Sequence, residues 1–214
     1  IIGPYIEHVA PLIDLDIVKP FSLILDAGSG MAGLIAPILF SLLPCKTTNL
    51  CFEIDGSFPH HEANPLIEAN RRDLIDGVQA HNADAGIAWD GDADRCFFVD
   101  GNGEFVPGDF VTALLAENFL RKEAASTILY DVRASRAVSD VVSSFGGTAL
   151  MNRVGHAFFK RRMRKENAVF GGEVTGHYYF RENFFADNGF IPALLLLELM
   201  SIRQQTLSQL LSPL

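Results

Sequence analysis

Short apolar runs alternate with amphipathic stretches along this chain, and the alternation predicts strands and helices in turn. Ser22 to Asp26 reads as a strand that enters a glycine-rich loop and then a helix from about Met31 to Leu43, kinked or restarted near Pro37. Asn49 to Ile54 reads as the next strand. Asn64-Pro65 offers an N-cap and a first-turn proline for a helix reaching about His81. Ala85 to Trp89 is an uninterrupted apolar strand, Cys96 to Val99 returns as another, and Asp100-Gly101-Asn102-Gly103 is a hairpin turn.

The order then repeats. Asp109 is positioned to cap a helix over Phe110 to Leu120, followed by a strand at Thr127 to Asp131 and a helix at Ser135 to Phe145. Thr148 to Met151 is a strand and Ala157 to Glu166 a helix. Ala168 to Phe170 and Tyr178 to Phe180 flank a short polar loop. The expected fold class is α/β: two similar α/β/α units, each a mixed, mostly parallel sheet covered by helices. Pro107-Gly108 marks the seam, dividing the chain into residues 1–106 and 107–214. No low-complexity linker separates them, so the two units are expected to pack together.

Composition narrows the function classes. With 214 residues, 49% of them apolar, the chain can bury two cores. The longest apolar stretches, Leu34 to Cys45 and Phe190 to Leu197, are too short to span a bilayer, and no membrane partner is expected. A net charge of −9 argues against a nucleic-acid partner. Cys45, Cys51 and Cys96 are odd in number and lack paired-ligand spacing, as reduced cytoplasmic thiols do. The chain starts at Ile1, as an excised piece of a longer protein would. A local positive patch is nevertheless present at Arg153, Lys160, Arg161, Arg162, Arg164 and Lys165, most of it read as a solvated helix face.

The candidate chemistry sits in Trp89-Asp90-Gly91-Asp92-Ala93-Asp94-Arg95. Three carboxylates at alternate positions, spaced by small residues, can turn toward one hard cation, and oxygen-only ligation suits Mg²⁺ or Mn²⁺. An EF-hand does not fit. Arg95 stands where the turn glycine belongs and Gly101 where the bidentate acid belongs.

That loop resembles the metal-binding loop of the α-D-phosphohexomutases, the phosphomannomutase/phosphoglucomutase family. Gly171-Gly172-Glu173-Val174-Thr175-Gly176-His177 resembles the family's sugar-recognition loop, with Thr175 where serine is more usual. Val154-Gly155-His156-Ala157-Phe158-Phe159-Lys160 resembles its Gly-His segment, and Gly56-Ser57-Phe58-Pro59 through Asn64-Pro65 another familiar stretch. The motifs fall in family order across nearly the whole chain. Such enzymes move a phosphoryl group between the 1- and 6-positions of a hexose through a bisphosphate. A phosphoserine sits in the first of their four domains, Mg²⁺ on the aspartate loop, and a fourth domain grips the distal phosphate. The present residues hold no candidate for the serine motif and resemble domains two and three only. The first and fourth domains are therefore the implied missing partners, and the piece alone is expected not to turn over.

Residue by residue, the resemblance implies Asp90, Asp92 and Asp94 as Mg²⁺ ligands and Arg95 beside the phosphoryl group in flight. It implies Glu173, Thr175 and His177 on the sugar, with Gly155, His156 and Lys160 approaching it and Arg133 where the family often has a basic residue. The implied substrate is a mannose or glucose 1- or 6-phosphate. The run Tyr178-Tyr179-Phe180-Arg181 through Ala186-Asp187-Asn188-Gly189 resembles these enzymes more than the phosphoglucosamine mutases, which are the alternative within the family. His8, His60, His61 and His81 are read as structural.

Three rivals compete. Gly28-Ser29-Gly30-Met31-Ala32-Gly33 satisfies the dinucleotide fingerprint, with Glu53 twenty residues beyond, although Asp26 before the loop would repel a pyrophosphate. Asp90 to Asp94 nearly matches a haloacid-dehalogenase nucleophile motif, but Asp94 stands where Thr or Val belongs. A non-catalytic sugar- and metal-binding fragment is the third.

Overall fold

The computed structural model describes all residues, 1–214. A leading helix α1 (Ile2–Val9) precedes β1 (Ser22–Asp26), α2 (Ala32–Phe40), β2 (Lys46–Leu50), α3 (Arg72–His81), β3 (Ala85–Trp89), β4 (Cys96–Asp100) and β5 (Phe105–Val106). The second unit runs through α4 (Gly108–Lys122), β6 (Thr127–Asp131), α5 (Arg136–Ser144), β7 (Thr148–Asn152), α6 (His156–Glu166), β8 (Phe170–Gly172), β9 (Tyr178–Phe180) and β10 (Ala186–Asp187). It closes with α7 (Phe190–Arg203) and α8 (Leu207–Leu211).

The two sheets have one topology. The first is ordered β2-β1-β3-β4-β5 and the second, read from its other edge, β7-β6-β8-β9-β10. In each, the first strand lies parallel between two partners, and the last two strands are added antiparallel. The aspartate loop joins β3 to β4 and the Glu173 loop joins β8 to β9, so both occupy the same turn of equivalent units.

Two elements lie elsewhere than the apolar pattern suggested. The second strand is Lys46–Leu50, not Asn49 to Ile54, and it pairs Ser22 with Lys46 through Asp26 with Leu50. It is an edge strand, so Lys46 and Asn49 face solvent and its polar letters hid it. The apolar residues after it leave the sheet at Cys51, whose φ is 54°. The helix expected from Asn64 begins only at Arg72, after a 3₁₀ turn at Glu68–Arg71. Arg71 is the cause: its guanidinium binds the carbonyls of Pro65 at 2.6 Å and Leu66 at 2.9 Å, which satisfies the loop backbone without a helix. Asp109 also differs slightly. It lies inside α4, where its carboxylate receives the N–H groups of Phe110 and Ser135.

Helix α7 was not legible as an element, because it is apolar on every side. Phe190 to Ser201 are all buried. A single apolar core runs from Leu23 and Trp89 of the first unit through α7 to Ile128 and Phe170 of the second. No helix is long and apolar enough to cross a membrane.

Candidate active site

Strands β1 and β6 end alike, and both ends build the site. Each finishes on a buried aspartate, Asp26 and Asp131, whose carboxylate accepts the N–H two residues on, from Gly28 at 2.9 Å and Arg133 at 2.8 Å. In the second unit Asp131 also receives the N–H of Val174 at 3.3 Å and thereby supports the Glu173 loop. Arg133, expected near substrate, places its guanidinium on Asp131. That pairing holds the Asp131 carboxyl below the usual range against the opposing effect of burial.

In the aspartate loop, Asp90 is buried and fixed. Its Oδ1 accepts the Arg95 N–H at 3.1 Å and its Oδ2 the Arg95 Nε–H at 2.6 Å. Ala93 at φ 62° closes the turn by donating to the Asp90 carbonyl. Asp90, Asp92 and Asp94 can each offer an oxygen within 4.8 Å of the others. Burial pushes Asp94 up to about 6; the charges of Asp90, Asp92 and Asp187 add to this, while His177 opposes it. Three carboxylates only partly offset by Arg95 and His177, with oxygen as the donor, fit a hard divalent cation.

Glu173 is buried and already bonded. It accepts the Gly155 N–H at 2.9 Å, the Thr175 hydroxyl at 3.3 Å and, more loosely, the Tyr179 hydroxyl at 3.5 Å. Gly155, at φ 116°, needs its missing Cβ to start α6 there, and this bond ties the Gly-His segment to the sugar loop. His156 follows in the first turn of α6 with its side chain exposed. Lys160, one turn on, lies 2.8 Å from Asp187.

The two loops meet. Cys96 donates to the Gly176 carbonyl at 3.1 Å, and Arg95 and His177 pair as an antiparallel bridge. His177 Nδ1 lies 3.1 Å from Asp187 and 3.7 Å from Asp94, so one ring touches a carboxylate from each unit. Burial opposes its protonation, but the Asp187 hydrogen bond and the charges of Asp94, Asp187 and Glu173 outweigh it and raise its pKa. Asp90, Asp92, Asp94, Arg95, Glu173, Thr175, His177, Gly155 and Lys160 therefore share one face. Arg133 and His156 lie beside it and contact none of the loop carboxylates. A cavity of about 630 Å³ between α4 and α5, lined by Phe110, Leu114, Arg136 and Val141, includes no residue of either loop. It lies away from the chemistry.

Asp187 and Asp131 were not read as site residues. The signal for Asp131 was available, because β6 ends on aspartate as β1 does. Asp187 lies within the run that resembles the family, but only the return of β10 beside β9 brings it to His177 and Lys160.

The glycine loop does not form a dinucleotide site. Its donors are consumed internally: Gly28 by Asp26, Ser29 by the Cys51 carbonyl, Gly30 by Ala27, Met31 by Gly91 and Gly33 by Gly30. Where a pyrophosphate would approach Gly30, the Gly91 carbonyl stands 2.5 Å from the position a Cβ would take. The glycines permit backbone to pack on the aspartate loop. For the phosphatase reading, Asp94 fills the position where Thr or Val belongs.

Comparison with known proteins identifies the family. Residues 3–103 match the family described as phosphoglucomutase/phosphomannomutase, alpha/beta/alpha domain II, and residues 107–214 match its domain III. A phosphomannomutase of Vibrio cholerae is 42% identical over 214 residues, covering 97% of this chain and 46% of that protein. Phosphohexose mutases of Xanthomonas campestris pv. campestris are 43% identical over 206 residues, covering 96% and 46%. The solved structure of a phosphoglucomutase/phosphomannomutase family protein from Burkholderia thailandensis is 33% identical with a TM-score of 0.91, covering 98% of this chain and 45% of that one. The chain thus spans less than half the length of the curated relatives it matches. It belongs to the phosphoglucomutase/phosphomannomutase family, of which it carries α/β/α domains II and III.

Proposed function

We propose that these two domains serve a phosphohexomutase that interconverts hexose 1-phosphates and hexose 6-phosphates through a bisphosphate, with mannose or glucose as the sugar. The observation that carries this reading is the abutment of the aspartate loop on the Glu173 loop through the Cys96–Gly176 bond and the Arg95–His177 bridge. A phosphoryl group and a sugar hydroxyl must be held side by side for such a transfer, and the two loops are neighbours.

Asp90, Asp92 and Asp94 would hold Mg²⁺, which when bound offsets charge on the phosphoryl oxygens. Arg95, oriented by Asp90, would add a guanidinium to the same charge. Glu173 and Thr175 would bond the sugar hydroxyls, with His177 as a further donor beside them. Lys160, held by Asp187, and His156, exposed at the start of α6, would receive an anionic substrate. Arg133 would act through Asp131 on the Glu173 loop. The relatives named phosphomannomutase support a hexose over a hexosamine, and the reaction would take place in the cytoplasm.

The test is a chimera in which this chain replaces the matching segment of the Vibrio cholerae phosphomannomutase. It should convert mannose 1-phosphate to mannose 6-phosphate with Mg²⁺, whereas the 214 residues alone should not. Glu173→Gln should lower kcat/KM by tens- to hundreds-fold, since each charge-assisted bond is worth about 1.5–3 kcal/mol, and leave the Mg²⁺ dependence unchanged. Asp92→Asn should instead raise the Mg²⁺ needed for half-maximal rate. A folded but inert chimera, or equal Mg²⁺ shifts in both variants, refutes the assignment.

A further inference from the structure

Outside the site, one other cluster of ligating side chains is assembled from three separated segments. Asp26 ends β1, Cys51 follows β2, and His61 lies in the loop before α3. Their donor atoms all lie within 4.8 Å of one another. His61 Nε2 is 3.0 Å from Asp26 Oδ2 and 3.8 Å from Cys51 Sγ. A tetrahedral zinc with ordinary Zn–N, Zn–O and Zn–S lengths has donor–donor edges of roughly 3.3–3.6 Å, so both pairs that include His61 are within a few tenths of an ångström.

We propose that Asp26, Cys51 and His61 form a second cation site, selective for borderline-soft divalent ions of the zinc class and distinct from the hard-cation aspartate loop. The donor set itself argues for selectivity: thiolate and imidazole with one carboxylate favour zinc or cobalt and disfavour Mg²⁺.

Asp26 and His61 are each also oriented by a partner behind them. His61 Nδ1 donates to the Glu62 carbonyl at 3.0 Å, and Nε2 faces Asp26 and Cys51, where a cation would replace the proton it shares with Asp26. Asp26 Oδ1 is occupied by the Gly28 N–H, leaving Oδ2 toward His61. The Cys51 carbonyl receives the Ser29 N–H at 2.7 Å while its φ of 54° turns the side chain out of the strand direction. Asp26 is buried, and His61 keeps 11% of its side chain exposed, so solvent can supply the fourth ligand and the route of entry.

On binding, the cation replaces the thiol proton of Cys51 and any proton shared between His61 and Asp26, both released to solvent. The bound ion clasps the loop from Cys51 to His61 onto the glycine loop. That loop in turn touches the aspartate loop, where Met31 donates to the Gly91 carbonyl at 2.9 Å.

The test uses Co²⁺ as a spectroscopic probe on the reduced 214-residue chain. A thiolate-to-cobalt charge-transfer band and tetrahedral ligand-field bands should appear, and Zn²⁺ but not Mg²⁺ should abolish them. They should be lost in Cys51→Ser and retained in Cys45→Ser and in Asp92→Asn. Absence of the band in the native chain, its persistence in Cys51→Ser, or its loss in Asp92→Asn overturns the proposal. Should Cys51→Ser fail to fold, the native chain still decides. Zn²⁺ should slow alkylation of Cys51 about tenfold or more while leaving Cys45 unchanged. Equal rates at Cys51 with and without zinc refute the site.

Discussion

Asp187 binds two cationic groups at once, with Lys160 Nζ at 2.8 Å and His177 Nδ1 at 3.1 Å. Burial opposes its ionisation, yet these two partners prevail and lower its pKa to about 2. The sign of the pH effect follows. Between its ordinary value of 3.8 and about 2 the unfolded chain binds the proton and the folded chain does not, so stability falls as pH falls through that window. Above pH 4 the contribution is fully present, and a shift of this size corresponds to about 2 kcal/mol. Asp187→Asn should therefore lose about 2 kcal/mol at pH 7 and flatten the acid limb of stability, as urea titrations across the acid range would show. An acid limb as steep as that of the native chain would mean that other carboxylates carry it.

At the scale of elements, close backbone contact decides how the loops sit. Gly30 packs on Gly91, and a Cβ there would stand 2.5 Å from the Gly91 carbonyl. Backbone cannot move aside as a side chain can. Gly30→Ala should cost about 1–3 kcal/mol and raise the Mg²⁺ requirement of the chimera, because the aspartate loop must shift. Gly56→Ala is the control: nothing lies within 4 Å of its added Cβ, and its stability should be unchanged to within about 0.5 kcal/mol. Thermal melts of the two variants provide the comparison. Equal midpoints would show that the glycine loop is free to adjust.

At the scale of the whole molecule, α7 unites the two sheets. Glu198 on its buried face accepts from Asp14 N–H at 3.0 Å, Asn118 at 2.9 Å and Lys122 at 2.5 Å, joining the first unit's leader to α4. Trp89 of the first unit donates to the Gly189 carbonyl at 2.8 Å and packs on Phe190. With a shared core, the two units should unfold in one step. Trp89 fluorescence and far-ultraviolet circular dichroism should give coincident urea transitions, and Leu194→Ala should move both together by about 2–5 kcal/mol. Separate transitions for the two probes would mean that α7 belongs to one unit alone.

Alternation of apolar and polar positions determined the α/β class and most strands, because a strand buried on both faces, such as Ala85–Trp89, is apolar throughout. The aspartate and Glu173 loops were legible because their chemistry is local, with ligands two residues apart on one turn. Where neighbours in space are distant in sequence, the residues carry no such mark. The edge strand Lys46–Leu50 is recognised only by pairing with β1, and the start of α3 only by the reach of Arg71 back to Pro65. His61 reads as a structural histidine until the fold sets it against Asp26 and Cys51, and Asp187 as a loop residue until β10 returns beside β9. Local pattern determines which elements form; tertiary packing decides which side chains meet, because donor atoms a few ångströms apart can come from segments that share no spacing.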